Sequence, residues 1–360
     1  MKKNIIKIII IFIALVQISM ADEVIKKYKL FDGGRFPGLI STGGDNIVAV
    51  WGDYSIKIAV SDNGGQSFPY KKIVETSGIN SGGGVWLEGE KKIIVFGQPK
   101  HPISSLYAYT SSDLGRSWNK SKIILPDQYH DVQLHFGGAG RVLKNKICKG
   151  RIVKPARVYG KESGYNVLIF SDDNGLSWSV GNPYPELATG EGSVIEINDN
   201  KLLYTSRRHW YKNQKNVRSQ RSFAVSYDCG ETWKETYIGN VPDGPRYRDI
   251  NKPMGPTHNG HFGLAGSLEK LEKAGEELLF YTNVDRDDWK RKNLALFVSK
   301  DDGKNWKKLF NIHEQQAAYS SMVVTSSRLV VHFEGGEGRE YEGSYIASYP
   351  ISHILNKIEN

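Results

Sequence analysis

The sequence predicts an all-β fold, a six-bladed β-propeller, from three observations: a recurring turn motif, the spacing of its copies, and a composition suited to short strands. The pattern Ser-x-Asp-x-Gly-x-x-Trp occurs in full at residues 111–118, 171–178, 226–233 and 299–306. An altered copy at 61–68 has Asn63 and Phe68 in place of the acid and the indole. Self-similarity at a regular interval marks a repeat architecture. The copies fall about fifty to seventy residues apart, close to the length of one four-stranded blade, so five marked blades leave room for one unmarked blade. Glycine (38), tyrosine (19) and tryptophan (8) are plentiful and helical periods are scarce, which argues for short strands joined by tight turns.

Taken in chain order, residues 1–21 carry Lys2 and Lys3, an apolar run over 5–16 broken by Lys7, and the small residues Ser19 and Ala21 ahead of Asp22. These features describe an export signal cleaved after Ala21. The expected mature propeller covers 22–360, in a periplasmic, cell-surface or secreted location. An uncleaved anchor is the alternative reading, but the run is short for a spanning helix. In each box the Asp and Ser oxygens can accept backbone N–H bonds, the Gly supplies positive φ, and the ring packs beneath a hairpin. β-rich runs such as 165–170 and 294–298 precede the boxes. The boxes therefore signal fold, and are expected at the outer rim, away from any axial ligand. The Lys- and Glu-rich piece at 267–277 reads as an exposed loop.

Formal net charge is +9, and falls to +6 when Lys2, Lys3 and Lys7 leave with the signal. A positive exterior would attract anionic glycans or a lipopolysaccharide surface; a lysine-rich proteome explains scattered lysines equally well. No basic helix or stripe points to nucleic acid, and no cysteine or histidine cluster has the spacing of a zinc site. Export would permit a bridge between the two cysteines, Cys148 and Cys229. Because Cys229 lies inside a box, free thiols are the expectation. A monomer is the expected assembly.

Single-copy motifs lie between the boxes: Gly34-Arg35-Phe36-Pro37, Trp51-Gly52-Asp53, Gly190-Glu191-Gly192-Ser193, Thr205-Ser206-Arg207-Arg208, Arg291-Lys292-Asn293-Leu294, Ala317-Ala318-Tyr319-Ser320-Ser321 and Tyr341-Glu342. In this order they resemble the bacterial exo-sialidase family, over residues 31–349. The resemblance implies that Arg35, Arg207 and Arg291 bind the substrate carboxylate, with Arg208 and Arg286 as less favoured alternatives for the last two. It makes Glu342 the glutamate that orients the first arginine, with Glu334 as the alternative. Tyr319 matches the nucleophile and Glu191 its base. Asp53, on a loop shorter than the family's, is the candidate acid/base, with Asp45 and Asp131 as alternatives. His130, His135, His258 and His261 read as loop histidines at the top of the propeller, where they could meet sugar hydroxyls.

The chemistry gives these residue types a reason. An ulosonic acid has a carboxylate on its anomeric carbon, and guanidinium forks hold such a group by bidentate, charge-assisted hydrogen bonds. A carboxylate nucleophile would be repelled by that group, whereas a phenol is neutral until it attacks; sialidases are themselves the known instance of a tyrosine nucleophile. The implied activity is retaining hydrolysis of a terminal α-ketosidic sialic acid, without a cofactor or metal. Two readings compete with it: a hydrolase for a related ulosonic acid such as 3-deoxy-manno-octulosonic acid, and a propeller that binds acidic glycans without cleaving them.

Overall fold

The computed structural model describes residues 24–99, 105–129, 132–134, 138–159, 164–197, 200–208, 220–244, 263–273, 275–286 and 290–359. The expected leader over 1–21 lies outside the described residues, as do His130, Asp131, His135, His258 and His261.

The chain forms antiparallel sheets one after another. Blade one runs Gly38–Ser41, Ile47–Trp51, Ile56–Ser61 and Tyr70–Glu75, and blade two Ile79–Leu87, Lys92–Gln98, Leu106–Ser111 and Asn119–Ile123. In blade three two short pieces, Val132–Leu134 and Arg141–Val142, share the inner position beside Ile152–Tyr159, followed by Gly164–Ser171 and Ser179–Val180. Blade four is Gly192–Ile197, Lys201–Ser206, Gln220–Ser226 and Glu235–Pro242. Blades five and six are joined in one seven-stranded sheet by the 18-residue strand Lys307–Val324. Its first half is the outer strand of blade five, against Lys292–Ser299, and its second half is the inner strand of blade six, against Arg328–Gly336. The N-terminal strand Lys26–Asp32 pairs with Gly343–Pro350 and so supplies the outer strand of blade six.

Apolar burial explains why these sheets stack into a ring. Inner and middle strands are buried on both faces, as in Ile47–Trp51, whereas outer strands such as Tyr70–Glu75 are polar and largely exposed. The core is divided into six wedges between consecutive blades. Ile58 and Ile93 belong to the wedge between blades one and two, Phe96 and Ile152 to the next, then Val153 with Leu202, Leu203 with Leu279, and Leu296 with Val331. A last wedge joins Ile47 of blade one to Val330 of blade six and closes the circle. Each fully buried aliphatic or aromatic side chain contributes about 1.5–3 kcal/mol. Near the axis blades one and two approach so closely that a Cβ on Gly38 would stand 2.4 Å from the Cα of Gly83.

Every box joins the third and fourth strands of its blade. Ser111 Oγ donates to Asp113 Oδ1 (2.8 Å) and accepts the Gly115 N–H (2.8 Å), while Asp113 also accepts the Ser117 N–H (2.8 Å). Asn63 does the same work in the altered copy, accepting from Ser61 Oγ at 2.9 Å and the Ser67 N–H at 3.1 Å. The box glycine also carries the turn onto its neighbour: a Cβ on Gly115 (φ +90°) would lie 2.7 Å from Ile58 Cδ1 of the preceding blade. Leu168 stands in the same relation to Gly230, and Val330 of blade six to Gly65 of blade one. Blade six lacks a box because its outer strand arrives from the other end of the chain, leaving no hairpin to staple.

Two sequence expectations are corrected here. Cys148 and Cys229 form a disulfide instead of free thiols. The box is the reason: it presses Cys229 against blade three, where Cys148 lies in the loop before Ile152–Tyr159. The 267–277 piece is also no exposed loop, since Ser267–Lys273 is the inner strand of blade five. Its charges are absorbed by pairing, with Lys270 Nζ 2.7 Å from Glu272 and 2.9 Å from Glu277, and Glu269 3.0 Å from Arg141.

Candidate active site

In a four-stranded antiparallel blade, the start of strand one, the end of strand two and the start of strand three share one edge of the ring. The boxes, which link strands three and four, lie at the opposite edge. Arg35 and Glu191 precede inner strands, Asp53 and Arg207 follow second strands, and Arg291 precedes a third strand. Tyr319 lies early in the inner half of Lys307–Val324, and Glu334 near the end of Arg328–Gly336. All therefore belong to the same edge. Backbone clasps extend the hairpins to hold them: the Arg207 N–H donates to the Glu191 carbonyl at 2.8 Å, and the Gly52 N–H to the Arg35 carbonyl at 2.9 Å.

The centre of the cluster is Tyr319. Its hydroxyl donates to Glu191 Oε1 at 2.7 Å and accepts from Arg207 Nη1 at 3.0 Å, and Arg207 Nη1 also pairs with Glu191 Oε2. All three side chains are buried. On the other face the Arg35 guanidinium carbon lies 4.8 Å from the Tyr319 ring centre. Arg35 Nε donates to Glu334 Oε1 at 3.2 Å, and the same carboxylate accepts the Phe36 N–H at 3.0 Å and the Tyr319 N–H at 3.1 Å. Glu334 thus fixes an arginine and the backbone of the central tyrosine together. Phe36 holds a positive φ of 68°, a backbone strain of the kind that persists where surroundings over-determine it. Arg291 donates to the Tyr341 hydroxyl, and the Tyr341 ring centre is 4.3 Å from the Arg35 guanidinium carbon.

Electrostatics follow from this packing. Burial works against charge on Glu191, but Arg207 and then Arg157, whose Nη1 is 4.0 Å away, outweigh it and hold the carboxyl at about 2. Burial and then Glu191 push the Tyr319 phenol upward, against the pull of Arg207, Arg35 and Arg291. Asp53, half-buried, has its carboxyl raised by desolvation, only partly offset by its own backbone N–H and by Arg35. Burial lowers Arg291, whereas Arg35 is raised because Glu334 overcomes the desolvation of its cation.

The structure brings Arg35, Arg207, Arg291, Tyr319 and Glu191 together, with Asp53 beside Arg35; a Cβ on Gly34 would lie 3.4 Å from Asp53 Oδ1. Glu342 is the exception. The carboxylate on Arg35 is Glu334, and Glu342 instead accepts the N–H groups of Glu337, Gly338 and Arg339 to pin their turn. Glu342 follows that turn, whereas Glu334 lies on a strand leading into the axis. Asp45 accepts from Thr325 Oγ1 and Ser327 at the box edge, away from the cluster. Arg208 pairs with Glu186 on the flank. Arg157 was not anticipated. Its signal was shared with Lys154: two charged residues stand in the largely apolar strand Ile152–Tyr159, where charge is buried only with a purpose. No group of three or more His, Cys, Asp or Glu side chains able to hold a metal ion occurs among the described residues.

Residues 84–332 match the BNR repeat-like domain. The chain belongs to the BNR repeat-like family. Among curated proteins this BNR repeat-like chain is 27% identical over 269 residues to a sialidase of Paraclostridium sordellii, covering 69% of the chain and 60% of that relative. It is 33% identical over 135 residues to a sialidase of Clostridium perfringens, covering 34% and 32% respectively. The chain thus spans less than two thirds of the length of these relatives. Among solved structures, a Hadza microbial sialidase superposes with a TM-score of 0.66 at 19% identity, over 89% of this chain and 66% of that one. A Trypanosoma rangeli sialidase in complex with a difluorinated nononic acid gives 0.69 at 16% identity, over 92% and 59%. At these identities the two superpositions speak for the fold, a six-bladed propeller.

Proposed function

We propose that this chain is a retaining exo-glycosidase that removes a terminal α-linked sialic acid from glycans. The observation that carries the reading is the buried Tyr319–Glu191–Arg207 triangle with two further arginines at its edge. Arg35, Arg207 and Arg291 hold the sugar carboxylate and so fix the anomeric carbon over the phenol. Tyr319 oxygen attacks that carbon as its proton passes to Glu191, and Asp53 protonates the departing glycosidic oxygen. In the second half-reaction Asp53 takes a proton from water, which attacks the anomeric carbon. Tyr319 leaves as a phenol, recovering its proton from Glu191, and the released sugar keeps its configuration.

Arg207 has a double part in this scheme. While it serves Glu191 it depresses the basicity of that carboxylate; once a substrate anion draws on the same cation, Glu191 becomes a better base. Substrate binding thereby activates the proton acceptor. The raised carboxyl of Asp53 suits an acid that must still hold its proton when the substrate arrives.

The test is incubation with a sialyllactose and, separately, with lipopolysaccharide core, followed by mass spectrometry and early-time NMR of the released sugar. Sialic acid appearing first as the α-anomer is the expected result. Octulosonic acid without sialic acid would replace the substrate, and no release of either would leave a glycan-binding propeller. We also infer export, on the leader-like residues 1–21 and on a disulfide suited to an oxidising compartment. The N-terminal sequence of the natural protein tests this, with Asp22 expected first.

A further inference from the structure

Two of the three clustered arginines are already neutralised: Arg35 by Glu334 and Arg207 by Glu191. Arg291 has no carboxylate partner among the described residues. Its guanidinium donates instead to the uncharged Tyr341 phenol, whose ring also faces Arg35 at 4.3 Å. One side chain therefore serves two cations: its ring lies 4.3 Å from the Arg35 guanidinium carbon and 5.8 Å from that of Arg291, and to Arg291 it also offers an oxygen lone pair. Tyr341 can do so because it ends the turn that Glu342 pins through three backbone N–H groups.

We propose that Tyr341 is a positioning residue that aims the Arg291 fork at the substrate carboxylate while leaving its charge unspent, a role that rests on the glycosidase reading above. A carboxylate in its place would satisfy Arg291 permanently and weaken its attraction for an incoming anion. A phenol orients the fork without cancelling the charge. Arg291 becomes the capturing cation of the set, and Arg35 and Arg207 complete a grip for which their charges are already shared.

Kinetics of Tyr341→Phe, Arg291→Ala and the double variant on an aryl sialoside test this, with thermal unfolding of each. Tyr341→Phe keeps the ring over Arg35 and removes only the oxygen; it should raise KM about tenfold, the worth of a hydrogen bond to a charged group, with kcat within about twofold. In the Arg291→Ala background the same change should have no further effect on kcat/KM, because the interaction it removes is already gone. An unchanged KM, or an equal penalty with and without Arg291, overturns the proposal, the latter marking a general packing role. If the wild type neither binds nor cleaves the sialoside, the glycosidase reading falls and takes this one with it. Activity in the wild type with an indifferent Tyr341→Phe variant sinks the Tyr341 role alone.

Discussion

The boxes and the axial cluster occupy opposite edges of the same blades and satisfy their polar groups in opposite ways. In a box the partners are two to four residues apart, as with Ser111, Asp113 and Ser117. In the cluster Tyr319 meets Glu191 across 128 residues, and Arg35 meets Glu334 across 299. A box is a local device that any hairpin can carry; the cluster exists only after the ring has formed. Damage to one edge should appear as lost stability, and damage to the other as lost chemistry.

The sharpest trial of that division is Tyr319→Phe, which should lower turnover of an aryl sialoside on the order of 10³-fold or more while leaving the thermal midpoint nearly unchanged. Retention of a tenth of the activity would break the assignment. Glu334→Ala crosses the division, because its carboxylate is both buried and at the site. Urea unfolding should register a loss of about 3 kcal/mol from the orphaned partners, accompanied by weaker substrate binding. Replacing Cys148 and Cys229 together by serine should lower stability by about 2–4 kcal/mol, with kcat/KM untouched. For Gly115→Ala, left-handed backbone strain should remove about 1–2 kcal/mol, and activity per folded molecule should stay constant. A fall in activity equal to the fall in stability would show that the two edges are coupled.

The subtlest expected effect concerns acid. The Glu191 carboxyl lies at about 2 in the folded chain against an ordinary 4.5. Its contribution to stability is therefore full above about pH 4.5 and lost as pH falls toward 2. In Glu191→Gln the thermal midpoint should decline less steeply over that window than in the wild type. An identical slope would mean that the carboxylate is not held by Arg207 and Arg157.

How much was legible in the residues follows the same division. The boxes revealed the blades because their partners are close in sequence, and the unmarked sixth blade was inferred from the remaining length. Tyr319, Glu191 and the three arginines were found through resemblance to a family, since no local pattern announces contacts more than a hundred residues apart. Glu342 rather than Glu334 matched the family's glutamate position, and such a match cannot tell a strand position from a turn. The disulfide escaped for a related reason: a turn motif gives no hint that it docks on the preceding blade. Arg157 left a trace, with Lys154, as one of two charges in a largely apolar strand, but nothing in the sequence told which of the two faced the axis.

The strand Lys26–Asp32 is laid down first and seated on the last sheet. The seam of the ring consequently opens directly onto Arg35, three residues beyond that strand, and onto Glu334 across the joint. Folding cannot complete the Arg35–Glu334 pair before Lys26–Asp32 has met Gly343–Pro350, a contact of very long range and so a slow one to form. Ring closure and assembly of the arginine cluster are thereby linked, and a chain whose first strand has slipped would part Arg35 from Glu334 before it lost its blades.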